Sequence, residues 1–137
     1  MGVEYSEVPT DEISLRLDNP RFGTDTVANE EEAIGKLAKA PDFLDFAKDI
    51  SNVGLNPMDI IGVYEENGSY VAGEGNRRFC AIKLLNDPAL APDEIKDAIE
   101  ELSNKTEFEF DEVYCCIFDD YDKMQDFVSR MHTPGPA

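Results

Sequence analysis

The spacing of apolar residues changes several times along this chain, and each change marks an element. Ile13, Leu15 and Leu17 alternate with polar residues, the period-2 pattern of a half-buried strand over 12–17, and Asp18-Asn19-Pro20 turns the chain after it. The pattern then becomes helical. Asn29 is suited to cap a helix over 30–40 that has acids in its first turn and lysines in its last. Pro41 opens a second helix over 42–53, where Phe43, Leu44, Phe46, Ala47, Ile50 and Val53 recur at helical spacing up to Gly54.

Two β-rich runs, 60–64 and 69–72, flank Glu65-Glu66-Asn67-Gly68, and Asn-Gly between such runs is a strong hairpin signal. A helix follows Gly75 with Phe79, Ile82 and Leu85 along one side, beside Ala81 and Leu84. Pro88 and Pro92 bound a loop, and Pro92 leads into a helix over 93–104 striped by Ile95, Ala98, Ile99 and Leu102. In the run 112–118, Val113, Cys115 and Ile117 fall on one face and Tyr114, Cys116 and Phe118 on the other. That predicts a central strand covered on both faces. A last helix spans 121–131, and Pro134, Gly135 and Pro136 read as the start of a linker over 133–137 to a further region.

Composition narrows the class. At 137 residues the chain suits a single domain with an ordinary core. No long apolar run or charged-then-apolar leader is visible, so no membrane contact is expected and the cytoplasm is the expected compartment. Three cysteines, two of them adjacent, do not form a disulfide framework, and one histidine without a CxxC pair makes a zinc site unexpected. Thirty acidic residues against 12 basic ones give a formal net charge of -18, which opposes direct binding to duplex DNA. A local basic cleft is still able to hold a small anion. DNA would be reached only through another domain, and a homodimer is open.

The chemistry concentrates in 69–85, SYVAGEGNRRFCAIKLL: a strand, a glycine turn, and a helix that opens on Arg77 and Arg78. A helix N-terminus already carries partial positive charge and unpaired N–H groups, so an arginine there is disfavoured by roughly 0.3–1 kcal/mol unless an anion intervenes. A phosphate is the simplest such anion, and Gly73 and Gly75 would let it approach the main chain. A tight turn whose arginines pair with some of the many carboxylates explains the same residues. The segment matches neither GxxxxGK[ST] nor a full dinucleotide fingerprint. Asp119, Asp120 and Asp122 either hold magnesium or cap the last helix, and no metal site is assigned.

Gly75-Asn76-Arg77-Arg78-Phe79-Cys80-Ala81 resembles the GxxRxxA box of the ParB/sulfiredoxin superfamily. Leu17-Asp18-Asn19-Pro20-Arg21-Phe22 resembles that family's strand running into an NPR turn. The segment 46–57 resembles its helix before an NGL-QP stretch, and 113–119 its strand before the last helix. The resemblance covers residues 11–132 in the expected order. It implies an α/β (α+β) ParB/sulfiredoxin-like single domain over 1–132, a small mixed sheet with flanking helices, and a helical insertion near 88–106.

The resemblance also implies a pocket for a nucleotide or similar phosphate, with magnesium accompanying a triphosphate. Gly73, Gly75, Asn76, Arg77 and Arg78 would form it, Asn19 and Arg21 would close it from the first motif, and Arg130 and His132 would reach it from the last helix. Asn76 stands where sulfiredoxins carry the catalytic cysteine, so sulfinic acid reduction is not expected, and Cys80 should face the core. ParB proteins carry a glutamate at that position that is linked to nucleotide hydrolysis. Here Glu74 is the nearby candidate base, or else a carboxylate paired with Arg77 or Arg78. The family setting is a nucleotide switch or NTPase in DNA-partition or phage-related proteins. The alternatives are a DNA-processing nuclease domain and an acidic protein-interaction module without catalysis.

Overall fold

Strand pairing sets the order of this molecule. A computed structural model describes residues 3–18, 27–55 and 60–132, and for 131 and 132 the backbone alone. Five strands, β1 (Val3–Pro9), β2 (Ile13–Leu15), β3 (Ile61–Glu66), β4 (Ser69–Glu74) and β5 (Glu112–Phe118), form one sheet in the order β1-β5-β3-β4-β2. β3 pairs antiparallel with β4 and β1 with β5, whereas β2 runs parallel to β4 and β3 parallel to β5. The sheet is therefore mixed, as expected. The hairpin falls where Asn-Gly stands: Asn67 and Gly68 both take positive φ, 53° and 81°, as the tight turn between two right-twisted strands requires.

Helices α1 (Glu30–Ala38), α2 (Phe43–Val53), α3 (Asn76–Asn86) and α4 (Asp93–Lys105) gather on one side, and α5 (Tyr121–His132) lies against β3, β4 and β5. Asn29 caps α1 by accepting from the Glu32 N–H at 3.0 Å. The main core joins Ile13, Leu15, Ile61, Val63, Ala72, Val113 and Cys115 of the sheet to Phe43, Ala47, Phe79, Cys80 and Leu84 of the helices. α4 buries Ile99 and packs on α2 and α3, as an outer layer over them. A smaller cluster of Tyr64, Phe118 and Met124 lies under α5.

Two expectations need correction. β1 was not anticipated: of its seven residues only Val8 is buried, so the strand carries no apolar alternation, and it joins the sheet through backbone pairing with β5. β5 is interior, but its second face is covered only towards the strand's end: Phe118 is buried under α5, whereas Tyr114 is 50% exposed. The expected linker at 133–137 lies outside the described residues. No described helix is long and apolar enough to cross a membrane.

Cys80 and Cys115 are fully buried, and burial pushes both thiols up to about 12. A raised thiol value means that the folded state keeps protons that the unfolded chain releases above 9.0; this contribution is complete below that pH and is lost as pH rises toward about 12. Thiol titration with Ellman's reagent at neutral pH should therefore find at most Cys116 in the native protein and all three cysteines in denaturant. Urea midpoints should fall between those two pH values. Rapid labelling of Cys80 in the native state would show that it does not face the core.

Candidate functional site

The turn from β4 into α3 is built around Gly75, which sits in the left-handed region at φ 84°, ψ 27°. Its carbonyl accepts the Phe79 N–H at 2.8 Å and so closes the first helical turn. No side chain caps this helix, and its first turn holds no acid. The N–H groups of Asn76, Arg77 and Arg78 thus stand at the positive end of α3 with no acceptor inside the helix. A Cβ built on Gly75 would lie 3.0 Å from Arg78 Nη1 and 3.6 Å from Ile61 Cγ1. The α-carbon is therefore bare beneath the Arg78 head group, between it and the wall made by β3. Backbone donors, a bare glycine and a guanidinium together suit an anion with several oxygens.

Asn76 is oriented inward. Only 6% exposed, it accepts the Arg16 N–H on Oδ1 at 3.2 Å and donates from Nδ2 to the Ala72 carbonyl at 2.9 Å. One amide side chain thereby ties the end of β2, the strand β4 and the start of α3 together. Its backbone faces the site, while its side chain is occupied with the fold.

Arg77 swings toward α2, pairing with Asp42 through Nη2 at 2.9 Å and lying over the Phe46 ring with 5.2 Å to the centroid. Its Nε is buried without a hydrogen-bond partner. Of the two sequence readings of the arginines, this contact fits the one in which an arginine pairs with a carboxylate. Gly73 is likewise explained by packing. It lies within β4, and a Cβ there would run into the Met124 sulfur and stand 3.2 Å from the Tyr64 ring. Glu74 ends β4 half-buried, and Glu74 and Arg78 each engage neighbouring groups.

Arg130 lies over Phe127 with 5.2 Å to the ring centroid, so its described contact is within α5. His132 closes α5, but its side chain is outside the described residues, as are Asn19 and Arg21. Asp120 accepts the Lys123 N–H at 2.9 Å, a capping contact at the start of α5, and Asp119 forms an ion pair with Lys123 at 2.9 Å. Among the described residues, no group of three His, Cys, Asp or Glu side chains could hold a metal ion.

Several supporting residues lacked a sequence signal. Arg16, buried at 9%, pairs with Asp18 at 2.7 Å and stacks over Tyr121 at 4.2 Å, which brings the start of α5 up to the strand end that Asn76 holds. Burial opposes the charge on Arg16, but Asp18 and Tyr121 outweigh it and raise its value further. Glu30 accepts the Leu15 N–H at 2.8 Å with one oxygen and meets Lys83 Nζ at 2.8 Å with the other, fastening α1 to β2 and α3. The contacts of Arg16 with Tyr121 and of Glu30 with Leu15 and Lys83 follow no local pattern, because they join residues far apart in sequence.

The fold matches known proteins more clearly than the sequence does. No protein-family model matches the chain, and no curated protein matches it. The crystal structure of C-terminally truncated chromosome-partitioning protein ParB from Caulobacter crescentus, complexed with CTP-gamma-S, superposes with a TM-score of 0.52 at 14% identity, over 97% of this chain and 56% of that one. Sulfiredoxin from Arabidopsis thaliana gives a TM-score of 0.44 at 17% identity, over 90% of this chain and 94% of that one. The fold is thus the ParB/sulfiredoxin one, and this chain spans little more than half the length of the ParB it matches.

Removing the Asn76 amide leaves a buried N–H and a buried carbonyl without their partner, at about 1–3 kcal/mol. Asn76→Ala should lower the urea-unfolding free energy by that amount. Arg77→Ala, which loses a partly exposed ion pair and a ring contact, should cost about 1 kcal/mol or less. If the two variants were equally stable, Asn76 would not be the tie described above.

Proposed function

We propose that this domain binds a nucleoside triphosphate, with the phosphates at the N-terminus of α3. The observation that carries the reading is the start of that helix: a left-handed glycine, no capping side chain, no acid in the first turn, and Arg78 folded over the bare α-carbon. Positive dipole, backbone donors and a guanidinium then stand together on one side of the turn. The ParB that shares the fold was crystallised with a cytidine triphosphate analogue, which supports a nucleotide as the ligand class.

In this reading the backbone N–H groups of Asn76 to Arg78 hold phosphate oxygens, Gly75 admits them, and Arg78 adds charge-assisted bonds. Arg21 and Asn19 from the first motif, and Arg130 and His132 from α5, are further candidates to close the pocket. Arg77 and Gly73 serve the surrounding structure. Magnesium would arrive with the triphosphate, held mainly by phosphate oxygens, since the described residues supply no acidic cluster for it. Glu74, one residue before the glycine, is the carboxylate placed to assist hydrolysis if any occurs. No specific observation favours the nuclease reading, and the net charge of -18 opposes it.

The test is calorimetric and thermal-shift titration with ATP, GTP, CTP and UTP, each with and without magnesium. A ligand at about 100 times its Kd stabilises the fold by about 2.7 kcal/mol, so a binding nucleotide should raise Tm measurably. Arg78→Ala, with shifts read against the variant's own unliganded Tm, should weaken that nucleotide about tenfold or more, the effect of losing one charge-assisted bond. Absence of a shift with every nucleotide, or unchanged affinity in Arg78→Ala, would overturn the proposal.

A further inference from the structure

At the beginning of β5, remote in function from the α3 turn, the molecule presents an apolar cleft of about 460 Å³. Val53, Phe108 and Tyr114 line it and are 65, 44 and 50% exposed, so large apolar side chains are left facing water there. Two carboxylates, Glu109 and Glu112, also line it, and its described lining includes no lysine or arginine. The surface continues onto β1. Tyr5, 58% exposed, stacks on Tyr114 with ring centroids 6.3 Å apart and planes 21° off parallel. Glu7 pairs directly with Tyr114 in the ladder and so shares its face, as Glu112 does by the two-residue period of the strand.

We infer that this strip binds a basic, partly apolar peptide segment of a partner protein. Charge complementarity selects the occupant. Stacked tyrosine rings present their negative faces to a guanidinium or ammonium group, Glu7, Glu109 and Glu112 pair with such groups, and the cleft takes an aliphatic or aromatic anchor between them. A nucleic acid is repelled by the same carboxylates, and a second copy of this chain would bring its own net charge of -18. The surface draws on none of the residues assigned to the nucleotide site, so either proposal stands without the other.

The acidity of the whole chain would attract any polycation, so the test must separate local from general attraction. The probe is a short fluorescein-labelled peptide in which Arg and Lys alternate with Leu, followed by anisotropy at physiological ionic strength, where charges are screened beyond about 8 Å. Glu109→Gln combined with Glu112→Gln, and separately Tyr114→Ala, should each weaken the peptide about tenfold. The control is Glu65→Gln with Glu66→Gln. These residues lie at the hairpin, past the opposite end of β5, because β3 and β5 run parallel with Tyr64 beside Phe118. At about 3.3 Å per residue they stand roughly 25 Å from Glu112. The control should change binding less than about twofold, and an oligo-arginine of equal length should bind more weakly than the probe. Equal losses at both places, equal binding of the oligo-arginine, or no binding of the probe would overturn the inference.

Discussion

The position of the α3 N-terminus depends on one buried amide. β2 and β4 run parallel, and the chain leaves β4 through Gly75 directly into α3. A helix leaving a strand end in this way is free to pivot unless something spans the junction. Asn76 spans it, with one hydrogen bond to the strand-end N–H of Arg16 and one to the Ala72 carbonyl inside β4. Both partners are buried, so breaking either bond leaves a polar group without water, which makes the junction stiff rather than merely stable. Arg77 against Asp42 and Phe46, and Lys83 against Glu30, then hold the helix to α2 and α1 at two further points.

This arrangement divides the labour within the first turn of α3. Side chains at successive helical positions point in different directions, so Asn76 reaches the strands, Arg77 reaches α2, and Arg78 folds over Gly75. The backbone N–H groups of all three point the same way, along the axis and out of the helix end. A site built from backbone donors keeps its geometry whatever the neighbouring side chains are doing, and here two of those side chains secure the geometry itself. On the proposed reading, substitution at Asn76 or Arg77 would therefore act on the phosphate site indirectly, through the orientation of the helix, whereas substitution at Arg78 would act on it through charge.

Much of the fold is legible from local pattern because the patterns are strong: Asn67-Gly68 marks the hairpin, Asn29 the start of α1, and the continuous apolar run 113–118 the strand β5. β1 is illegible for a physical reason. An edge strand with one buried side chain is held by its ladder with β5, and a ladder leaves no trace in hydrophobic spacing. The site is legible in part. Gly75 and the paired arginines stand out as a helix start of the wrong charge, but sequence could not separate the arginine that turns to Asp42 from the one that stays over the glycine. Nor could it show that Gly73 answers to Met124 of the helix α5 packed against it. Local backbone chemistry is written in neighbouring residues, and long-range packing is not.

A net charge of -18 and a site for polyphosphate are compatible because the two act over different lengths. At physiological ionic strength exposed carboxylates beyond about 8 Å of the turn are largely screened, while N–H donors and a guanidinium act at hydrogen-bond distance. The acidic surface consequently slows the approach of an anion more than it weakens the bound state, and it repels nucleic acid, which must engage many phosphates across a wide surface at once. A compact ligand needs one turn of helix. On the proposed reading the body excludes polyanions from its surface and admits a single small one where backbone geometry, rather than net charge, sets the local potential.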